Sequence, residues 1–266
     1  MQYEHLEVNA DGAIAWVTLN RPERLNALNP RMIAELGAFF GGLRASSPVR
    51  VVILRGAGRA FCAGLDLKEF QSEGASKKSV GEMLEFQRKV RDIMIAMRRC
   101  PQPVISIVNG SASGGGFALA LASDIRLATA DARMNASFIR LGLSGCDVGV
   151  SYFLPRMVGA SVAAELMLTG RFLDAQRALA LGLLSRIGTP EELEAEAAAL
   201  AGEMLRATPL GLQLTKDALG IAIDANSLEA VIALEDRNQV LCTQGEDFGE
   251  GVAAFLEKRA PRYQTP

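Results

Sequence analysis

The sequence predicts an α/β protein that ends in an all-helical region. Three observations carry this. Residues 49–55 (VRVVILR) and 103–108 (PVISIV) are continuous apolar runs, the pattern of strands buried on both faces. The segments between them show helical spacing. From residue 191 onward the chain reads as helix almost throughout. We divide it into an α/β core over residues 1–190 and a helical region over 191–266. The latter cannot bury its apolar faces alone, so docking on another copy is expected.

Residues 3–8 and 13–19 alternate in strand fashion around Asp11-Gly12, a hairpin signal. Arg21-Pro22 ends the second strand. Asn29-Pro30 opens a helix in which Met32, Ile33, Leu36, Phe39, Phe40 and Leu43 recur at helical spacing. The strand at 49–55 follows, then a glycine-bearing turn over 56–67. Residues 68–81 are polar and expected to be mobile. A helix over 82–99 places Met83, Leu84, Val90, Met94 and Met97 on its apolar side. After the strand at 103–108, Asn109-Gly110 turns the chain into a glycine-rich loop that continues as a small-residue helix to residue 122. A short strand spans 124–128. Helices are expected over 151–158, 161–168 and 175–181, and four more near 191–206, 209–222, 227–241 and 246–258.

Composition excludes several function classes. The 266 residues carry a formal net charge of −2, without the basic excess that a nucleic-acid footprint needs. No run of about 18 uncharged apolar residues suggests a membrane span. The N-terminal segment has neither the basic nor the apolar region of a secretion signal. The four cysteines, at 62, 100, 146 and 242, lack metal-ligand spacing and suggest no disulfide framework, so a cytoplasmic setting is expected. His5 is the sole histidine and sits in a strand-like segment. Histidine-based metal sites and Ser-His-Asp or Cys-His nucleophiles therefore lack a candidate.

Two turns stand out. One is Ala60-Phe61-Cys62-Ala63-Gly64-Leu65-Asp66-Leu67; the other is Asn109-Gly110-Ser111-Ala112-Ser113-Gly114-Gly115-Gly116-Phe117. Each follows a buried strand and ends at a helix start, where backbone N–H groups lack partners. Two such groups, one from each turn, can form an oxyanion hole. The same pattern also serves an ordinary strand-to-helix turn. It matches neither a P-loop nor a dinucleotide fingerprint.

Thr18-Leu19-Asn20-Arg21-Pro22-Glu23-Arg24-Leu25-Asn26-Ala27-Leu28, Phe61-Cys62-Ala63-Gly64-Leu65-Asp66-Leu67 and the segment from Pro103 through Gly116 resemble, in order, the signature segments of the crotonase (enoyl-CoA hydratase/isomerase) superfamily. Leu168-Thr169-Gly170-Arg171-Phe172 and residues 250–259 are similar to further family features. The resemblance implies a spiral of repeated ββα units with C-terminal helices that build trimers or dimers of trimers. It implies an acyl-CoA thioester as ligand, with coenzyme A part of the substrate and no other cofactor or metal. It assigns the thioester oxygen to the N–H groups of Leu65 and Gly115. The backbone around Arg24, Ala27, Ala63, Asp66 and Leu67 would line the coenzyme A site. Phe255 and Lys258 would reach the adenine end in a neighbouring subunit.

The chain departs from the family at the catalytic carboxylates. Ala118 and Phe138 stand where typical hydratases carry two glutamates, and neither exchanges a proton. One acid remains nearby, Asp147 in Cys146-Asp147-Val148-Gly149. This stretch is similar to the segment of dienoyl-CoA isomerases whose aspartate transfers a proton, and an aspartate serves as nucleophile in this loop of chlorobenzoyl-CoA dehalogenases. Asp147 is equally placed to cap a helix beginning near Val150. The leading expectation is an acyl-CoA enzyme working through a stabilised enolate, in fatty-acid or related catabolism. The rivals are a non-catalytic acyl-CoA binder and a thioester hydrolase or C–C lyase on the same scaffold. Phe70, Met83, Phe86, Phe138 and Ile139 are candidates for an acyl pocket; Ser113, Ser144 and Cys146 are candidates to touch the acyl group.

Overall fold

The computed structural model describes residues 3–72 and 78–263. The Asp11-Gly12 hairpin forms as expected: β1 (Leu6–Asp11) runs antiparallel to β2 (Ile14–Leu19), closing on the pair Asp11↔Ile14. Asn29 caps α1 (Pro30–Gly42) by accepting from the Met32 N–H at 2.9 Å. From there the chain repeats one manoeuvre. A long buried strand is followed at once by a short strand in a second sheet, and then by helix. The units are β3 (Val51–Gly56), β4 (Ala60–Cys62), α2 (Leu67–Ser72) and α3 (Val80–Arg99); then β5 (Val104–Val108), β6 (Ser111–Ser113) and α4 (Gly115–Ala122). The third is β7 (Ile125–Thr129), β8 (Arg133–Asn135), a 3-10 turn at Ser137–Leu141, α5 (Val150–Val158) and α6 (Ala160–Thr169). Then come β9 (Leu173–Asp174), α7 (Ala175–Ala180), β10 (Arg186–Gly188), α8 (Pro190–Met204), α9 (Pro209–Ala222), α10 (Leu228–Thr243) and α11 (Glu246–Glu257).

The long strands build a six-stranded sheet in the order β1-β2-β3-β5-β7-β10, parallel from β2 onward. The short ones build a four-stranded sheet in the order β4-β6-β8-β9. Both faces of the larger sheet are covered, which is why its central strands read as unbroken apolar runs. Val52, Leu54, Val104 and Val108 enter the main core beneath α1, α3 and α4. Val51, Ile53, Ile105, Ile107 and Leu127 pack with Leu193, Ala197 and Ala201 of α8 on the other side.

Three expectations change. The short strands β4 and β6 were read as turns and β8 was not anticipated, because three residues carry no alternation; only pairing across the second sheet defines them. Residues 67–72 form α2 rather than a mobile segment, and 73–77 of the expected 68–81 stretch lie outside the described residues. In α3, which a Ser79–Glu82 capping box starts two residues early, Leu84 is 48 % exposed and Ile93 is fully buried. Leu84 falls off the stripe made by Val90, Ile93, Met94 and Met97.

Candidate active site

The site begins with a buried arginine. Arg21 donates from Nη1 to the Ala27 carbonyl at 2.7 Å and from Nη2 to Asp66 and Glu69, both at 3.1 Å. Its own N–H is taken by Asn26 Oδ1, and Asn26 Nδ2 reaches on to the Ala57 and Ala60 carbonyls. This network ties the segment after β2 to the turn after β4. Along the seam Leu28 N–H donates to the Gly64 carbonyl at 2.7 Å, Asp66 N–H to the Leu28 carbonyl at 2.9 Å, and Ala63 N–H to the Leu25 carbonyl at 3.0 Å. Between Ala63 and Asp66, the Gly64 N–H bonds the Cys62 sulfur, and the amide left over is that of Leu65.

The second turn presents the start of α4. Gly114 N–H donates to the Asn135 carbonyl at 3.0 Å, and its carbonyl receives the Ala118 N–H. The Gly115 N–H lies at the first helical position, where no intrahelical acceptor exists. Among the described residues, no hydrogen bond from the N–H of Leu65 or of Gly115 is found. The two turns meet because glycine lets their backbones touch. A Cβ on Gly116 would stand 2.1 Å from the Cys62 carbonyl oxygen. One on Gly64, whose φ is +90°, would stand 2.7 Å from that of Ser113.

Leu65 and Gly115 open onto one cavity of about 530 Å³. Its walls are apolar and rich in aromatic rings: Phe70, Phe86, Phe138 and Phe172 with Met83 and Leu143. Phe70 and Phe86 pack at 5.2 Å between centroids. Phe138 is almost wholly buried, with its ring edge beside Gly114. Ala118 is fully buried within α4 and is not among the lining residues. Among the described lining residues Asp147 is the sole carboxylate and Arg140 the sole cation.

Asp147 is half-buried. Its Oδ1 accepts the Val148 N–H at 2.8 Å and a close hydrogen bond from Gln87 Nε2 of α3. Burial pushes its carboxyl above the usual aspartate value, and these two donors pull against that only in part. The Asp147 side chain does not cap α5. Gly149 holds the N-cap position of α5, no side chain caps it, and Asp147 bonds its immediate neighbour instead. Cys62 lies beside the first turn, but burial pushes its thiol to about 12 and leaves it un-ionised at neutral pH.

This arrangement can be set against known proteins. A family model described as enoyl-CoA hydratase/isomerase matches residues 9–266. The chain belongs to that family. It is thus a member of the crotonase superfamily, and its fold is the one found there. It is 40 % identical, over 93 % of its length and 88 % of the relative's, to a Mycobacterium tuberculosis protein named "Probable enoyl-CoA hydratase EchA12". It is 34 % identical, over 98 % of both chains, to the 1,2-epoxyphenylacetyl-CoA isomerase of Escherichia coli. The crystal structure of an enoyl-CoA hydratase from Bacillus anthracis superposes with a TM-score of 0.91 at 31 % identity, covering 99 % of this chain and all of that one.

Of the residues singled out in the sequence, the structure gathers Leu65, Gly115, Asp147, Ala63 and Leu67 around the cavity, with Phe70, Met83, Phe86, Phe138 and Ser113. Ile139 does not line it; its side chain lies against Gly170. Ser144 and Cys146 are also outside, with Ser144 Oγ accepting the Cys146 N–H. The Asp66 side chain is committed to Arg21 and to the Glu69 N–H. Ala27 is buried on the seam, Arg24 is exposed, and Phe255 and Lys258 sit exposed at the end of α11. His5 lies away from the cavity, its ring 3.3 Å from Asn29 Nδ2. Sequence reasoning missed Gln87. The signal was there: it interrupts the stripe Met83, Phe86, Val90 of α3 with one amide. Among the described residues, no group of acidic, histidine or cysteine side chains is placed to hold a metal, and no helix is long and apolar enough to cross a membrane.

Proposed function

We propose that this protein shifts a double bond in an acyl-CoA thioester, by way of an enolate held by the Leu65 and Gly115 N–H groups. Asp147 carries the proton. The observation that supports this is the convergence of two unpaired amides and one carboxylate, raised by burial, on a single apolar cavity. The Asp147 carboxylate removes a proton from the acyl chain. The electron pair moves toward the thioester oxygen, where the two N–H groups stabilise the developing charge; each such donor typically contributes about 3–4 kcal/mol. The protonated Asp147 then returns the proton to a different carbon, and the double bond re-forms one position along. Burial suits the group to both halves, since a carboxyl titrating nearer neutral pH is a better base and remains a competent acid.

Hydration is the less favoured chemistry. It needs an activated water and a second proton delivery, and the two positions that carry glutamates in typical hydratases hold Ala118 and Phe138. In this reading Ala63 and Leu67, with the backbone around Arg24, Ala27 and Asp66, receive coenzyme A as part of the substrate. Neither a metal nor a redox cofactor takes part. Phe255 and Lys258 would serve the site of a neighbouring copy in a trimer or a dimer of trimers. Exposed apolar side chains on α9–α11, including Leu219 at 60 % and Phe255 at 83 %, favour such self-association. Four free cysteines agree with a reducing, cytoplasmic setting.

The test is conversion of a 3-enoyl-CoA to its 2-enoyl isomer, followed by absorbance in the wild type and in Asp147→Asn, with coenzyme A binding measured by calorimetry. Loss of turnover by about 10²–10⁴-fold with binding retained is expected. Full turnover in the variant would remove Asp147 from the mechanism. Wild type that binds acyl-CoA yet changes no enoyl substrate would favour the binding-protein reading instead.

A further inference from the structure

Resting on the reading of Asp147 as the proton carrier, we infer that Gln87 is its positioning residue: with the Val148 N–H it holds Oδ1, so that Oδ2 is the atom that takes and returns the proton.

Both donors go to the same oxygen, Val148 N–H at 2.8 Å and Gln87 Nε2 in closer contact. Among the described residues, no hydrogen bond to Oδ2 is found. The two donors come from different elements. Val148 precedes α5, and Gln87 rides on α3. That helix is fastened less than one turn further on by Val90, and then by Ile93, Met94 and Met97, all buried. Its start is fixed by the Ser79–Glu82 capping box. Gln87 is therefore an exposed amide on an anchored helix, aimed across the gap at the one acid among the described residues of the cavity. The orientation of the amide follows from chemistry. A carboxylate only accepts hydrogen bonds, so the NH₂ end must face it; the reverse flip would set oxygen against oxygen.

The arrangement serves both protonation states without rearrangement. In the anion Oδ1 receives two N–H donors. In the acid Oδ1 is the carbonyl oxygen, still receiving both, and the proton sits on Oδ2. Only one torsional orientation of the carboxyl group satisfies this, so the proton is taken up and delivered from a fixed place. The donors also favour the anion, and so oppose the upward push of burial on this carboxyl. Four polar side chains on the surrounding elements are engaged elsewhere. Arg140 turns its Nε to the Thr169 carbonyl at 3.4 Å, and Arg91 pairs with Asp92. Lys78 stands over the Phe70 and Phe86 rings at 5.4 and 5.7 Å, and the Tyr152 hydroxyl is bonded to Asp224.

The experiment pairs Gln87→Leu, which keeps size and removes the donor, with Asp147→Asn, in the full-length protein. Two readouts are taken. One is the pH profile of kcat and KM for isomerisation of a 3-enoyl-CoA. The other is the carboxyl titration of Asp147 by carbon NMR of ¹³C-aspartate-labelled protein, its signal assigned by its absence in Asp147→Asn. Expected in Gln87→Leu are an upward move of the Asp147 titration, a matching move of the acid limb of kcat, and a fall in kcat of roughly ten- to a hundred-fold with KM little changed. An Asp147 titration and pH profile identical to wild type would overturn the inference while leaving an inactive Asp147→Asn in place. An active Asp147→Asn would instead overturn the proton-carrier reading, and the NMR titration would separate the two failures.

Discussion

Placing an alanine at Gly116 tests whether the meeting of the two turns matters for both stability and activity. The new Cβ would sit 2.1 Å from the Cys62 carbonyl oxygen, 2.7 Å from Cys62 Cβ and 2.8 Å from its carbonyl carbon. Ordinary contact begins near 3.5 Å, so α4 and β4 must part by more than about 1 Å. Both elements are fully buried, and interiors this dense do not yield freely. Overpacking of this kind costs about 1–3 kcal/mol. The better helix propensity of alanine recovers up to about 1 kcal/mol. A net loss of up to about 2–3 kcal/mol is expected, read as a lower urea midpoint with unchanged slope. Activity should suffer more. Gly115, whose N–H the proposed mechanism uses, is the adjacent residue, and a displacement near 1 Å at a catalytic group costs about 10²-fold. Gly116→Ala with wild-type kcat and wild-type urea midpoint would refute the claim that this contact sets the spacing of the Leu65 and Gly115 amides.

Further outcomes follow from the charged groups. Arg21→Met leaves the Asp66 carboxylate buried without its cation, and a loss of about 3–5 kcal/mol is expected in urea unfolding. Asp66→Asn in the same background should recover part of it. Acid should destabilise the wild type. Burial opposes ionisation of Asp66 and Glu35, yet the Glu69 N–H and Arg21 hold the first, and the Glu4 and His5 N–H groups with Arg31 hold the second, below the usual carboxylate range. Folded values below unfolded ones give stability that is complete above the ordinary carboxylate range and is lost as pH falls from there through the lowered folded values. Urea midpoints measured from neutral pH down to the acid limit check this. Asp147 has the opposite sign. Its raised value costs stability above its folded titration point, so Asp147→Asn should unfold at higher urea than wild type at neutral pH, with the gain vanishing in acid. A variant less stable at neutral pH would contradict the desolvation account.

How the fold was legible depends on length scale. Longer elements announce themselves where burial on one or both faces imposes a period on the side chains; the six-residue α2, with no fully buried residue, does not. The hairpin at Asp11-Gly12, the cap at Asn29 and the buried strands β3 and β5 all follow from local rules. The three-residue strands β4, β6 and β8 do not, since nothing within them repeats. Leu84 was misplaced for a related reason: a single apolar residue on a helix is assigned to a face only by what packs against it.

The same divide runs through the site. Sequence by itself determined which turns carry glycine, that Ala118 and Phe138 cannot exchange protons, and that Asp147 is the acid left in its stretch. These are statements about residue identity and local backbone. Only the tertiary structure decided that Leu65 and Gly115 line one cavity, that Gly149 rather than Asp147 holds the start of α5, and that Gln87 meets Asp147 across 60 positions of chain. The physical reason is that a hydrogen bond is set by distance in space. Helix α3 and the loop before α5 are brought within that distance by the packing of buried side chains elsewhere, which no local pattern records.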